Sequence, residues 1–112
     1  METGSAAVIL KAMEGLQERI AVTAENIANA NTPHYRPLRV SFEKALSTAA
    51  ARGPDAVKAV RAKITQESLA AGGLRLDMEL ASDSTTAERY SALIEVLNRQ
   101  LQLQSLAITG SN

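Results

Sequence analysis

Few residues of this chain have side chains that could carry out catalysis. The 112 residues include one histidine, His34, and no cysteine. A thiol nucleophile, a disulfide framework and a cysteine-based metal site are therefore excluded, and a single histidine cannot build a multi-histidine metal site. General-base catalysis by His34 would need a positioned partner and a pocket. We expect this histidine to lie in a turn, exposed to solvent or to an interface.

Two pairs of carboxylates lie close enough in sequence to be considered for acid–base chemistry: Asp77 with Glu79, and Asp83 with Glu88. Residues two apart on a helix do not face each other, so a solvated helix face or a capping role is expected. Gly72-Gly73 lacks the preceding strand and following lysine of a phosphate-binding loop. We predict no enzymatic activity, no cofactor, no metal and no small-molecule substrate.

Charge and composition exclude further classes of protein. Twelve basic residues balance twelve acidic ones, whereas a nucleic-acid-binding protein normally carries a basic face. Hydrophobic residues make up 46% of the chain but aromatic ones only 3%, which suits slender helices packed side by side. No apolar run approaches the roughly 20 residues of a membrane span, and residues 1–10 lack the basic start of a cleavable export signal.

The first thirty residues carry the clearest periodic pattern. Apolar or small residues recur at alternating steps of three and four, which predicts an amphipathic helix with a heptad seam. The members of this seam are Ala6, Ile9, Met13, Leu16, Ile20, Thr23, Ile27 and Ala30. Gly15 lowers local helix stability by about 1 kcal/mol relative to alanine, but the pattern continues through it. The helix must end before Pro33, because the residue preceding a proline disfavours the α conformation.

The middle of the chain gives weaker signals. We predict an ordered turn around Pro33, an extended piece over residues 36–40, and a short helix from Phe42 to about Ala51 that Ser41 caps. Residues 47–75 are rich in alanine, glycine and small polar residues, with a thin apolar stripe at Val57, Val60, Ile64 and Ala71. This composition predicts a flexible, weakly ordered helical connector that orders only against neighbours.

The last segment repeats the behaviour of the first. One heptad phase runs through Leu76, Leu80, Asp83, Ala87, Tyr90, Ile94, Leu97, Leu101, Gln104 and Ile108. Either one helix begins at about Leu76, or a new helix begins at Thr85 with a capping box to Glu88. The unbroken phase favours the single helix. A second apolar set lies outside the seam, at Leu93, Val96, Leu103 and Leu106. A helix apolar over so much of its circumference needs more than one packing partner, which indicates contact with another subunit.

These patterns predict an all-α fold in which two long terminal helices pack as a hairpin or coiled-coil-like pair. A short turn, an extended piece and the weakly ordered helical connector join them. Residues 1–46, 47–75 and 76–112 are the three segments, which together make one domain. Periodicity and composition alone would also allow a helical-hairpin export chaperone or adaptor.

Residues 25–36 narrow this choice, because they resemble the signature of flagellar basal-body rod, hook and hook-associated proteins. The matching positions are Asn26, Ile27, Ala28, Asn29, Thr32, Pro33 and Tyr35. Val40, Phe42 and Leu46 resemble the continuation in rod proteins, and residues 89–94 with Leu97 resemble their C-terminal helix. Position 34 is histidine where the family usually has glycine. Either the turn differs locally, or His34 accepts a left-handed conformation.

The resemblance implies a structural subunit of the rod, most like the proximal rod protein of FlgB type, with the sibling FlgC type as the close alternative. Such subunits stack helically around the export channel and transmit torque, and the flagellar type III export apparatus delivers them to the periplasmic rod without a cleaved signal peptide. The implied partners are other copies, other rod proteins, and components of the basal-body ring and export gate. The expected assembly seams are Ile9, Met13, Leu16, Ile20, Ile27, Tyr90, Ile94, Leu97, Leu101 and Ile108.

Overall fold

Two long helices, one towards each end of the chain, organise the computed structural model, which describes residues 4–68 and 73–109. Two short helices and two short strands lie between them. The elements in chain order are α1 (Gly4–Ala28), β1 (Leu38–Ser41), α2 (Glu43–Ala50), α3 (Pro54–Ala59), β2 (Lys63–Gln66) and α4 (Leu76–Thr109).

Helices α1 and α4 run antiparallel along the long axis of a slender molecule of 64 × 26 × 14 Å. The Gln17 amide donates to the Tyr90 hydroxyl at 2.9 Å, and the Asn26 amide donates to the Glu79 carboxylate at 3.2 Å. From the Gln17–Tyr90 contact, α1 continues 13 residues back to Gly4, whereas α4 continues 19 residues on to Thr109. The last six residues of α4 therefore run about 9 Å past the start of α1.

The core lies where α1 meets β1, α2 and α3, and the only phenylalanine is at its centre. Phe42 is 4% exposed, and its ring packs directly over Gly15. A β-carbon built on Gly15 would lie 2.5 Å from the Phe42 ring. Glycine in the middle of α1 therefore gives the ring room. The remaining core residues are Ala7, Leu16, Val22, Val40, Leu46, Ala49 and Val57.

A two-stranded antiparallel sheet corrects the all-α prediction. Strand β1 pairs with β2, with Leu38 opposite Gln66 and Ser41 opposite Lys63. Residues 63–66, expected within a helical connector, are extended because β-branched Ile64 and Thr65 suit a strand and β1 offers them a backbone partner. Of the described connector residues, 47–50 at the end of α2 and those of α3 are helical, and Val57 of α3 enters the core. Ala71 lies outside the described residues.

The other local predictions are mostly confirmed. Helix α2 covers the expected short helix, but Phe42 occupies its N-cap without a side-chain hydrogen bond. The prediction that Ser41 caps it was wrong, because Ser41 is the last residue of β1. Helix α4 is one helix through residues 82–86, as the unbroken phase predicted. There the Thr86 hydroxyl donates to the Ser82 carbonyl at 2.9 Å, so the polar run is accommodated without breaking the helix.

Candidate functional site

The turn after α1 is closed by its own polar side chains. Asn29 donates its amide to the Glu25 carbonyl at 2.9 Å and accepts from the Thr32 hydroxyl at 3.0 Å. The Thr32 amide donates to the Asn29 carbonyl at 2.9 Å, and the Tyr35 amide to the Thr32 carbonyl at 3.2 Å. These bonds satisfy backbone groups that the end of a helix leaves free. They give the asparagine-rich sequence a structural role.

His34 adopts the left-handed backbone conformation, with φ of 60°. Of the two possibilities, a locally different turn or a left-handed histidine, the structure has the second. The turn keeps the geometry that suits glycine. Histidine is among the non-glycine residues that tolerate this conformation better than most. Pro33 and His34 are both exposed.

The side chain of Asn26 connects α1 to the turn, to β1 and to α4. It is fully buried and uses its whole hydrogen-bonding capacity. Its amide donates to the Leu38 carbonyl at 2.9 Å and to the Glu79 carboxylate at 3.2 Å. Its carbonyl oxygen accepts from the Leu38 amide at 2.9 Å and from the Tyr35 hydroxyl at 2.8 Å. Asn26 thereby pairs with Leu38 as the backbone of a neighbouring strand would.

Tyr35 closes this network from the side of the turn. Burial, and after it the negative charges of Glu25 and Glu79, raise the pKa of its hydroxyl, against a smaller lowering by Arg39. The hydroxyl therefore stays protonated and continues to donate to Asn26. The tyrosine of the signature has a hydrogen-bonding role that the sequence did not reveal.

An ion-pair network fixes the start of α4 against β1. Glu79 is 2% exposed, and its carboxylate pairs with the Arg39 guanidinium at 2.6 Å. Arg39 also pairs with Glu67 at 2.7 Å. Burial acts to lower the pKa of Arg39, but the hydrogen bonds to Glu67 and Glu79 outweigh it and raise that pKa. The sequence interpretation of Glu79 as part of a solvated helix face was wrong.

A second charged contact holds α2 against α1. The Arg19 guanidinium binds the Glu43 carboxylate through two bonds, of 2.6 and 2.8 Å, and donates to the Val40 carbonyl at 2.6 Å. It also lies 5.0 Å from the centre of the Phe42 ring, a favourable cation–π geometry. The hydrogen bonds from Arg19 are the main reason why the pKa of Glu43 falls to about 2.

The structure divides the residues of the expected assembly seams between the inside and the outside of the hairpin. On α1, Ile9 and Leu16 are buried, and Met13, Ile20 and Ile27 are half-buried. On α4, the side that meets α1 carries buried Glu79 and Thr86 with half-buried Asp83, Tyr90, Leu93, Leu97, Gln100 and Gln104. Of the five α4 residues in the expected assembly seams, only Tyr90 and Leu97 lie on that side. Exposed to solvent are Ile94, Leu101 and Ile108.

The second apolar set on α4 is divided in the same way. Leu93 packs against the core, whereas Val96, Leu103 and Leu106 are exposed, Leu106 to 62%. Residues 100–109 contain no charged side chain, and most of their large apolar groups face solvent. Exposed to solvent here are Leu101, Leu103, Leu106 and Ile108, which lie on two sides of the helix.

Metal-ligand clusters and membrane-spanning helices were both sought among the described residues. Across residues 4–68 and 73–109, no three or more metal-ligating acidic or histidine side chains converge. Over the same ranges, no helix combines the length and the apolar character that crossing a membrane requires.

Comparison with known proteins gives one match, to part of the chain. A family model described as "Flagella basal body rod protein" matches residues 8–36, which are most of α1 and the turn that carries Asn26, Asn29 and Tyr35. The match covers 29 of the 112 residues, about a quarter of the chain. Among curated proteins and among solved structures, no match to the chain was found. The family match supports a structural role in the flagellar basal-body rod, a place in the basal body and association with other flagellar components.

Proposed function

We propose that this protein is a structural subunit of the flagellar basal-body rod that assembles helically through its two terminal helices. The observation that carries the proposal is that the family match includes the buried Asn26 and its hydrogen-bond network. Residues 8–36 match the rod family, and within them Asn26 joins α1, β1 and α4 through side-chain hydrogen bonds.

The two ends of the hairpin have different roles in this proposal. The turn, with Asn26, Arg39 and Glu79, fixes how α4 leaves the body of the molecule. The far end of α4 presents Leu103, Leu106 and Ile108 to solvent. Burial of such side chains against neighbours stabilises an assembly by about 25 cal/mol for each Å² of apolar surface removed from water. The start of α4 is thus fixed to the body of the molecule, and its far end exposes apolar side chains. This combination suits a subunit that completes its packing in a polymer.

The finer assignment is to the proximal rod, with the protein most like its FlgB type. The supporting feature is the short stretch between β1 and α4, with no inserted domain in its sequence. In this role the subunit forms part of the export-channel wall and of the shaft that transmits torque. Delivery through the flagellar export apparatus follows from the same resemblance.

Deletion of the protein tests the flagellar role. We expect loss of the filament and of swimming, with the inner-membrane ring retained and motility restored by the full-length chain. Normal motility of the deletion strain would contradict the proposal.

A surface variant tests assembly through α4 without disturbing the hairpin. Truncation of residues 90–112 should prevent incorporation into basal bodies, but it also removes Tyr90 and Leu93 from the fold. The triple variant Leu103→Gln, Leu106→Gln, Ile108→Gln changes only exposed side chains. We expect it to fold normally yet to be missing from purified basal bodies, whereas the neighbouring variant Ser105→Gln should be incorporated. Normal incorporation of the triple variant would contradict assembly through this end of α4.

A further inference from the structure

A basic cleft lies between α2 and α3, away from the turn network. It encloses about 680 Å³, and no acidic residue is among those lining it. Small residues of the two helices, including Ala49 and Ala56, form part of its lining. Its charged residues are Lys44, Arg52, Arg61 and Lys63.

The four cations of this cleft are exposed. Arg61 donates to the carbonyls of Lys58 and Val60. Within residues 4–68 and 73–109, no carboxylate pairs with Lys44, Arg52 or Lys63. The cleft therefore carries positive charge that no carboxylate of the described residues balances. Its small side chains would let the backbone of another helix approach closely.

Over residues 84–95, the outer face of α4 carries acidic and small polar side chains. Ser84, Glu88, Ser91 and Glu95 follow one another at steps of four, three and four residues, and all are exposed. Glu88 and Glu95 are separated by about 10.5 Å along the helix. At 100° per residue, this stripe is centred about 150° around α4 from the stripe that packs on α1. It therefore faces away from α1.

We propose that the Glu88–Glu95 face of α4 docks in the α2–α3 cleft of a second copy of this chain. This inference takes one element from the proposed function, namely that copies of the chain pack side by side. Carboxylates two helical turns apart face a cleft of cations, and small residues on both surfaces allow the helix to lie close. A second copy thereby brings two carboxylates to the four cations of the cleft.

The two surfaces lie on different parts of the molecule, so the contact is heterologous. Each copy that docks its α4 into a neighbour leaves its own cleft free for the next copy. Such contacts form rings or open helical polymers, and a rod needs the second.

Charge reversal tests this contact on the whole chain by sedimentation velocity over a concentration series. The acidic-face variant Glu88→Lys with Glu95→Lys, and the cleft variant Arg52→Glu with Lys63→Glu, should each associate at least about tenfold more weakly than the parent. A mixture of the two variants should regain association, because the new lysines at positions 88 and 95 then meet the new glutamates at positions 52 and 63. Circular dichroism checks that both variants fold.

The control is Glu18→Lys with Glu25→Lys, an exposed pair on α1 with the same seven-residue spacing. It should associate like the parent. If all three variants associate equally, or if the mixture fails to recover while both variants are folded, the contact does not exist. A parent chain that stays monomeric at millimolar concentration in low salt would also overturn it.

Disulfide trapping tests the geometry, because the chain has no cysteine of its own. Thr48→Cys lies in the cleft and Ser91→Cys on the acidic face. A chain with both substitutions should give a ladder of dimers, trimers and larger species under mild oxidation, and neither single variant should. A Thr65→Cys, Ser91→Cys chain is the matched control. Dimers of the Ser91→Cys variant alone, or equal ladders from the control, would overturn the proposal.

The two proposals fail separately. If deletion leaves motility normal but the ladder forms, the contact stands and the flagellar role falls. If deletion abolishes motility but the charge-reversed variants enter basal bodies normally, the flagellar role stands and the contact falls. Preferential binding of duplex DNA or anionic vesicles to the cleft, without association of copies, would also overturn the contact.

Discussion

The side chain of Asn26 holds both backbone polar groups of Leu38, its amide donating to the carbonyl at 2.9 Å and its oxygen accepting from the N–H at 2.9 Å. A helix thereby makes the contact that a second strand would make at this edge of β1. The other two bonds of Asn26, to Tyr35 and Glu79, bring the turn and α4 to the same point. The signature asparagine is therefore a structural joint between the two terminal helices.

Replacement of Asn26 by alanine should destabilise the protein strongly. It leaves the Leu38 backbone groups and the Tyr35 hydroxyl without their buried partner, and an unsatisfied buried group costs about 1–3 kcal/mol. Urea unfolding followed by circular dichroism measures the change. The control is Asn31→Ala, an exposed position in the same turn, for which a change within about 0.5 kcal/mol is expected. Equal stability of the two variants would contradict the role of Asn26.

Gly15→Ala should lower stability although alanine favours helix. The new methyl group would lie 2.5 Å from the buried Phe42 ring. Overpacking of this kind costs about 1–3 kcal/mol, against a gain in helix propensity of about 1 kcal/mol. Gly4→Ala is the control, since its nearest neighbour would be 4.0 Å away.

A double-mutant cycle with Phe42→Leu separates the clash from other effects. In the Phe42→Leu background the smaller side chain leaves room, so Gly15→Ala should be less costly than in the parent. An equal cost in both backgrounds would show that the Phe42 ring is not the cause.

Glu79→Ala should cost about 1–3 kcal/mol, because it removes an acceptor from the buried Asn26 amide and one of the two carboxylate partners of Arg39. Glu88→Ala, on the exposed side of the same helix, should be close to neutral. Chemical denaturation of both variants measures the difference. If Glu79→Ala leaves the free energy of unfolding unchanged, Glu79 is solvated, as the sequence suggested.

Stability should fall in acid through Glu43. Arg19 lowers the pKa of Glu43 to about 2 in the folded protein, so the contribution is present above the ordinary glutamate pKa near 4.5 and is lost as pH falls from there towards 2. The side chain is half exposed, so screening limits the contribution to about 1 kcal/mol. Glu43→Gln should be less stable than the parent at pH 7 and should approach it at pH 2. A difference that does not vary with pH would contradict this.

The left-handed backbone at His34 predicts an order of stabilities. Glycine carries no β-carbon penalty at φ of 60°, whereas a β-branched residue is strongly disfavoured there. The melting temperature should fall from His34→Gly through the parent to His34→Val. A valine variant as stable as the glycine variant would show that the turn has a different conformation in solution.

The two long helices could be predicted from sequence because each carries a local apolar period that survives Gly15 and the polar run at residues 82–86. The small sheet could not. Its strands pair across some 25 residues, and the Ile64 segment is too short and too exposed for its alternation to identify it. Pairing between distant segments does not produce a periodic pattern of apolar residues within either segment.

The turn residues could be found from sequence, but their roles could not. The pattern around Asn26 identified the segment, yet the groups that complete its network, Leu38, Arg39 and Glu79, come from elements up to 53 residues away. One signal was present. Glu79 falls on the same heptad phase as Thr86 and Leu93, which face α1, so its position indicated burial although its charge indicated solvent.

A reconstruction of the basal body from cells that make this protein shows whether the chain is a rod subunit. We expect copies of this chain in the rod, arranged helically, with α1 and α4 in the layer around the export channel and the end of α4 covered by neighbouring subunits. A complete rod without any copy of this chain would contradict it.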